Sequence, residues 1–370
     1  MTLGKSAANK NIELPIRADL VGRSPYGAPQ LDVPVRLNTN ENPFDPSPEL
    51  VAELSRVISQ VGANLNRYPD REATLLRADL ASYLETESQV LVTAENIWPA
   101  NGSNEVMQQL LQLFGGPDKK LVTFDPTYSM YEDYCRNTFT KYETVSRRPD
   151  FEIDFQVIDQ ALALQPDIIV LTSPNNPTGT VVGQAEIEYL LENFSGVVII
   201  DEAYAEFRAP GTPSAIVNLK NHPLLIVTRT MSKAFSYAGA RIGYAIADPK
   251  VIAAIQLVRL PYHLSTLTQE AARVALRFSA ELLSQVELIR SQRDELTKWL
   301  IDSGFEVAAS GANFILFGTF SDRNQIWEKL VEQGVLIRQT GPMGWLRVSI
   351  GTPQENSLFK TALLKVTSNE

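Results

Sequence analysis

Short β-rich runs that alternate with stretches of helical period constrain the fold of this chain more than any other feature. The runs are Leu121–Phe124, Ile168–Thr172, Val197–Ile200, Leu224–Thr228 and Ile242–Ala247, and helical patterns such as Gln184–Asn193 lie between most of them. Apolar strands that alternate with helices predict an α/β fold whose mostly parallel sheet is covered on both faces. The last hundred residues differ. A long amphipathic helix from about Thr268 to Leu300 leads into short strands at Phe314–Phe317 and Leu346–Ile350, which reads as a smaller C-terminal α+β domain. Residues 1–45 carry seven prolines or glycines between Pro15 and Pro43 without clear periodicity, and read as an extended N-terminal arm. A helix is predicted to begin with Ser47 as N-cap and Pro48 in its first position. The expected organisation is an arm at 1–45, a large domain at 46–267 and a small domain at 268–370. Residues 46–66 of the large domain are able to pack with the small one.

Composition removes several function classes. At 370 residues the chain is long enough for about two domains and for a core with a cleft. Its 33 basic and 43 acidic residues leave a formal charge of −10, which disfavours a nucleic-acid binder needing a basic stripe. A single Cys135 and two histidines, His222 and His263, rule out a disulfide framework and a Cys/His metal cluster. Cys135, His222 and His263 read as structural, with a place lining the cleft as the lesser alternative for His263, which directly follows Tyr262. No apolar stretch approaches the roughly 18 residues of a membrane helix. The opening MTLGKSAANKNIEL has lysines but no apolar run after them, so no signal peptide is expected and a reducing cytoplasm fits.

The residues that follow each apolar run are the informative ones. Ile168–Thr172 leads into Ser173-Pro174-Asn175-Asn176-Pro177-Thr178-Gly179, Val197–Ile200 ends on Asp201-Glu202-Ala203-Tyr204, and Leu224–Thr228 runs into Arg229-Thr230-Met231-Ser232-Lys233. Open α/β sheets bind ligands beyond the carboxyl ends of their strands. Three strands therefore deliver Asn, Asp, Tyr, Ser and Lys to one edge. A fourth piece, Asn101-Gly102-Ser103-Asn104-Glu105, precedes the helical run Val106–Phe114 and forms a helix N-terminus able to hold a phosphate. A lysine, a buried aspartate and a phosphate cradle, with no metal, suit pyridoxal 5'-phosphate. The lysine amine condenses with the cofactor aldehyde, and the carboxylate keeps the pyridine nitrogen protonated.

Thr230-Met231-Ser232-Lys233-Ala234-Phe235-Ser236-Tyr237-Ala238-Gly239 resembles the lysine signature of the class II aminotransferases. With the Ser-Pro-Asn-Asn-Pro-Thr-Gly string, Asp-Glu-Ala-Tyr and the late Arg347, the chain is similar to fold-type I enzymes from about residue 20 onward. The resemblance is strongest to the histidinol-phosphate aminotransferase family. It is carried by Leu37-Asn38-Thr39-Asn40-Glu41-Asn42-Pro43, Arg67-Tyr68-Pro69, Pro126-Thr127-Tyr128-Ser129-Met130-Tyr131, Pro261-Tyr262 and Leu336-Ile337-Arg338, in the family's order.

The resemblance implies specific roles. Lys233 would hold the cofactor and move the proton between the substrate Cα and C4′. Asp201 would pair with the pyridine nitrogen, with Tyr204 and Asn176 on the 3-hydroxyl. Ser103, Asn104, Ser232 and Arg241 would hold the cofactor phosphate, and Tyr128 would stack on the ring. Tyr68 would reach the phosphate of a neighbouring subunit, which implies a homodimer with shared active sites. Arg347 would grip the carboxylate of glutamate, and Arg338, Arg347, Tyr26 and Tyr262 would surround the substrate phosphate, with Asn104 near the imidazole. The implied reaction converts histidinol phosphate and 2-oxoglutarate to imidazole acetol phosphate and glutamate, in two alternating half-reactions.

Competing classes fare less well. An aromatic amino-acid aminotransferase would use the same cofactor residues, and Arg338 and Ser24-Pro25-Tyr26-Gly27 favour the phosphate substrate over it. A regulatory protein on this fold would need a basic helix-turn-helix segment, for which the arm is too short and too polar. Decarboxylases of this group tend to stack a histidine where Tyr128 stands. No Gly-x-Ser-x-Gly string supports a serine hydrolase, and no Gly-x-Gly-x-x-Gly string supports a nicotinamide enzyme.

Overall fold

The computed structural model describes residues 14–368. The first thirteen residues, and with them the start of the arm and the expected lack of a leader, lie outside the described residues. The strands in chain order are β1 (Val35–Arg36), β2 (Ile97–Ala100), β3 (Lys120–Asp125), β4 (Lys141–Ser146), β5 (Ile168–Thr172), β6 (Val197–Asp201), β7 (Leu225–Thr230), β8 (Gly243–Ala247), β9 (Glu306–Val307), β10 (Phe314–Gly318), β11 (Val335–Leu336) and β12 (Leu346–Ser349).

Seven of these strands form the central sheet, in the order β2-β8-β7-β6-β5-β3-β4. Pairing from β4 through β7 is parallel, and β8 is antiparallel to both β7 and β2. All five expected runs lie in this sheet. The sequence reading missed β2 and β4 for different reasons. β2 has four residues, one of them Pro99, and β4 is a polar edge strand that buries only Val145.

Alternation along β5, β6 and β7 divides their side chains between two cores. Ile169, Leu171, Val198, Ile200, Leu225 and Val227 face one core, whereas Ile168, Val170, Val197, Ile199 and Ile226 face the other. Burial on both faces explains why these strands read as near-continuous Ile/Val runs. Continuing the alternation, Thr172, Asp201 and Thr228 share the second face, while Arg229 points to the first.

Beyond the sheet, β9, β10 and β12 form a three-stranded antiparallel sheet with helices Arg323–Glu332 and Pro353–Thr367 in the same stretch of chain. β1 pairs in parallel with β11, which ties the segment before residue 40 to this C-terminal unit. The helix Pro48–Gly62 starts as expected, with the Ser47 hydroxyl accepting from the Leu50 amide at 3.2 Å. The single helix expected from about Thr268 to Leu300 is instead two, Thr266–Arg277 and Ser279–Asp302. They are separated at Phe278, whose φ of −102° and ψ of 17° leave the helical region. Each half packs on different partners. The first lies on Pro48–Gly62 and Thr74–Ser88, the second against β9 and β10.

Candidate active site

Asp201 closes β6 with Thr172 of β5 and Thr228 of β7 as its register partners. All three project from one face, so the carboxylate is bracketed by hydroxyls. Tyr131, on the helix Met130–Thr138, donates to Asp201 Oδ2 at 2.7 Å and shares a 2.8 Å hydrogen bond with the Thr172 hydroxyl. Thr228 and the Ala203 amide donate to Oδ1, each at 3.2 Å. No cation pairs with Asp201 among the described residues, and burial pushes its carboxyl up despite these donors.

Glu202, one residue on, points to the opposite face and into an ion cluster. It accepts from Arg229 and Arg208, from the Ser214 hydroxyl and from the Ala215 amide. Arg229 is fully buried and also reaches Glu87 at 2.7 Å. The end of β6 is thereby anchored from behind while Asp201 faces forward.

Lys233 follows β7 and donates to the Thr39 carbonyl at 2.9 Å. Burial, and then the neighbouring Arg347, push its amine down to about 8 against the pull of Glu41. An amine so lowered is about one-tenth neutral at pH 7, far more than an ordinary lysine, and is able to act as a nucleophile or base.

The guanidinium of Arg241 lies against the start of the helix Ser103–Phe114. Gly102 there has a φ of +82°, and a Cβ on it would sit 2.6 Å from Arg241 Nη2. A Cβ on Gly243 of β8 would come within 2.1 Å of the Ser103 nitrogen. Gly243 permits the close approach of the helix backbone, and Gly102 that of the Arg241 guanidinium. Arg241 also has a left-handed φ of 56°, and its guanidinium lies 3.4 Å from the Ser232 hydroxyl. The helix N-terminus, a hydroxyl and a guanidinium thus lie together, an arrangement that suits an anion.

Arg338 and Arg347 exchange backbone hydrogen bonds, each 2.9 Å, in an isolated antiparallel bridge. Their side chains therefore stand side by side on one wall. Arg347 is buried, donates to Asn176 Oδ1 at 2.5 Å and to the Asn38 carbonyl at 2.9 Å, and leaves Nε without a partner. It forms no ion pair with a carboxylate among the described residues, and burial lowers it to about 10. Arg338 donates to the Gly27 carbonyl at 3.3 Å and lies 5.9 Å from the Tyr26 ring centroid. Tyr26 meets Tyr128 edge to face at 6.3 Å, and Tyr128 meets Tyr131 the same way at 5.6 Å.

These groups line one cavity of about 460 Å³. Tyr26, Ser103, Asn104, Tyr128, Asn176, Asp201, Tyr204, Ser232, Lys233, Arg241, Arg338 and Arg347 are all on its walls. The cations Lys233, Arg241, Arg338 and Arg347 outnumber the acids Glu41 and Asp201 there, reversing the chain's overall negative charge locally.

Tyr68 and Tyr262 are the exceptions. They stack on each other at 4.5 Å with an interplanar angle of 18°, away from the cavity of their own chain. Tyr68 is 80% exposed and Tyr262 42%, so the expected grouping of Tyr262 with Arg338 does not occur within one chain. The left-handed φ of 56° at Tyr262 is part of the turn that carries it to Tyr68. His263 does not line the cavity either; it stacks on Trp98 at 5.2 Å and lies 3.0 Å from the Pro99 carbonyl. Cys135 is buried in the core. Among the described residues no group of three or more His, Cys, Asp or Glu side chains could hold a metal, and no helix is long and apolar enough to cross a membrane.

The sequence reading missed Tyr131, Thr228, Thr39 and Asn40 as parts of this site. Tyr131 and the Thr39–Asn40 pair sat inside quoted motifs, but nothing local signalled that they contact Asp201, Lys233 and Tyr204.

The donor set fits pyridoxal 5'-phosphate. Asp201 lacks a cationic partner, Lys233 offers a lowered amine, and the helix N-terminus with Ser232 and Arg241 suits a phosphate.

Comparison with known proteins is consistent with this chemistry. The family described as aminotransferase class I and II matches residues 33–362. The histidinol-phosphate aminotransferase of Thermobifida fusca (strain YX) is 54% identical over 359 residues, covering 96% of both chains. The crystal structure of the histidinol-phosphate aminotransferase from Sinorhizobium meliloti in complex with pyridoxal-5'-phosphate gives a TM-score of 0.81. It is 25% identical and covers 91% of this chain and 92% of that one. A Thermus thermophilus aspartate aminotransferase double mutant gives 0.79 at 26% identity, covering 90% of this chain and 91% of that one. Backbone similarity alone therefore does not choose the substrate.

Proposed function

The chain belongs to the class I and II aminotransferases, and on that premise we propose that it transfers the amino group of histidinol phosphate to 2-oxoglutarate. The products are imidazole acetol phosphate and glutamate, in the biosynthesis of histidine. The observation that carries the choice of substrate is the Arg338–Arg347 bridge. Two adjacent guanidiniums with no carboxylate against them among the described residues suit a dianionic phosphate on one amino donor and a carboxylate on the other.

Pyridoxal phosphate, when bound, supplies an aldehyde that accepts the amino group and a protonated ring that withdraws electrons from the Cα–H bond. The chain's own residues do the rest. Asp201 holds the ring nitrogen's proton, with Tyr131 and Thr228 keeping the carboxylate in place. Tyr204 and Asn176 bind the 3-oxygen, and Tyr128 covers a ring face. Ser103, Asn104, Ser232 and Arg241 bind the phosphate through the helix N-terminus and the guanidinium. Lys233 Nζ would carry the proton between the substrate Cα and C4′. Arg347 orients the α-carboxylate of glutamate. Arg338, Tyr26 and Asn104 select the imidazole phosphate end.

The protein works as a homodimer in this reading. The exposed Tyr68–Tyr262 stack, with Leu257 and Leu260 also exposed nearby in sequence, gives a face for a second copy. Tyr68 then reaches the phosphate in the partner subunit, and Tyr262 travels with it. The domain reading stays at an arm of 1–45, a large cofactor domain of 46–267 and a small domain of 268–370. The site is assigned to the cytoplasm, where the free Cys135 stays reduced. Aromatic aminotransfer is the second reading, favoured only by the Tyr26–Tyr128 pair beside Arg347. Glutamate formation from histidinol phosphate and 2-oxoglutarate by the cofactor-loaded protein tests the proposal, and its absence would overturn it.

A further inference from the structure

Asn40 is buried, at 1% exposure, and has a left-handed φ of 56°. Asparagine is among the few residues besides glycine that visit this region readily. Its groups are clasped from the C-terminal unit. The Asn40 amide N–H donates to Ser349 Oγ at 2.9 Å, the Ser349 hydroxyl donates to Asn40 Oδ1 at 2.9 Å, and Asn313 Nδ2 donates to the Asn40 carbonyl at 2.9 Å. These contacts assign the side-chain amide. Flipped, its NH₂ would face a serine oxygen that already accepts a hydrogen bond, and the serine proton would lose its acceptor. Asn40 Nδ2 is left with one direction, and it donates to the Tyr204 phenol oxygen at 2.9 Å. The Tyr204 ring is held edge to face against Phe314, 5.1 Å between centroids.

Resting on the pyridoxal phosphate reading of this cavity, we propose that Asn40 is a positioning residue. By donating to the Tyr204 oxygen, it turns the Tyr204 proton into the cavity, toward the ring oxygen of the cofactor. A phenol that accepts one hydrogen bond keeps its own proton for another acceptor. That proton, given to the ring oxygen, competes with the proton shared between the ring oxygen and the Lys233 nitrogen, and lowers the pH at which the latter is lost. Because Ser349 lies on β12 and Asn313 directly precedes β10, the seating of the C-terminal unit is transmitted to Tyr204 through Asn40.

The test is a spectrophotometric pH titration of the cofactor-loaded protein, comparing wild type, Asn40→Gly, Tyr204→Phe and the double variant. Glycine tolerates the left-handed backbone, so Asn40→Gly removes the amide without adding strain. Asn40→Gly is expected to raise the midpoint by at least about half a pH unit, and Tyr204→Phe by about one unit or more. The double variant should match Tyr204→Phe alone, because the effect runs through the phenol. An unmoved midpoint in Asn40→Gly, or a shift that persists undiminished beside Tyr204→Phe, overturns the proposal. If Asn40→Gly does not fold, Asn40→Asp replaces it. It accepts from the phenol instead of donating, and should raise the midpoint more with Tyr204 present than without. Wild type with no titrating cofactor band would instead overturn the reading of the cavity itself.

Discussion

Tyr131 and Asp201 are joined by a 2.7 Å hydrogen bond in which the phenol donates and the buried carboxylate accepts. Tyr131 shares its own 2.8 Å hydrogen bond with Thr172, so the carboxylate is oriented from across the sheet. This donor opposes the upward push of burial on Asp201. Removing it in Tyr131→Phe favours the neutral acid, which binds a protonated ring nitrogen less well. Cofactor affinity is expected to fall about tenfold, as for loss of a hydrogen bond to a charged group. Equilibrium binding of pyridoxal phosphate to the stripped protein measures this.

Lys233 sits at about 8 because burial and Arg347 disfavour its charge. The sign is that of a depressed base: the neutral, reactive amine gains population as pH rises toward 8. Cofactor capture by the stripped protein should therefore speed up about tenfold per pH unit below 8 and level off above it. An ordinary lysine would show the rise continuing to about pH 10. Lys233→Ala should lose the linkage to the cofactor and at least about a thousandfold in transamination rate. Retained turnover would remove Lys233 from the site.

Arg338→Ala should separate the two half-reactions. Arg338 faces the cavity beside Arg347, which holds Asn176 and Asn38. Loss of Arg338 is expected to reduce kcat/KM for histidinol phosphate by about a hundredfold, as for a bidentate phosphate contact, while 2-oxoglutarate changes far less. Equal losses would assign Arg338 a structural role.

The strand cores were legible because burial on both faces forces apolar, β-branched runs, and the polar residues ending them marked the working edge. Ser47 and Pro48 announced their helix because capping is a local contact. What escaped was set by contacts distant in sequence. The break at Phe278 follows from two helices packing on different partners, and β4 is polar because it is an edge. Asn40 acquires its role from Ser349 and Tyr204, more than 160 positions away in the chain. The Tyr68–Tyr262 stack is likewise invisible to any local pattern.

The ion cluster behind Asp201 carries a stability prediction. Arg229 is fully buried against Glu202 and Glu87. Arg229→Ala would leave Glu202 to Arg208 alone among the described residues and take away the guanidinium beside Glu87 and the buried Glu206, and is expected to cost about 3–5 kcal/mol of unfolding free energy. Urea denaturation of the stripped protein checks the loss. A cost below about 1 kcal/mol would mean that water or neighbouring groups replace the guanidinium.

The most direct test of the proposed substrate is a half-reaction without keto acid. The cofactor-loaded protein is mixed separately with histidinol phosphate and with phenylalanine, and loss of the lysine-linked cofactor band is followed by stopped-flow absorbance. Histidinol phosphate is expected to react at least about a hundredfold faster, some 2.7 kcal/mol of transition-state discrimination. Phenylalanine reacting as fast or faster would contradict a phosphate pocket at Arg338 and Arg347, and would make this chain an aromatic amino-acid aminotransferase.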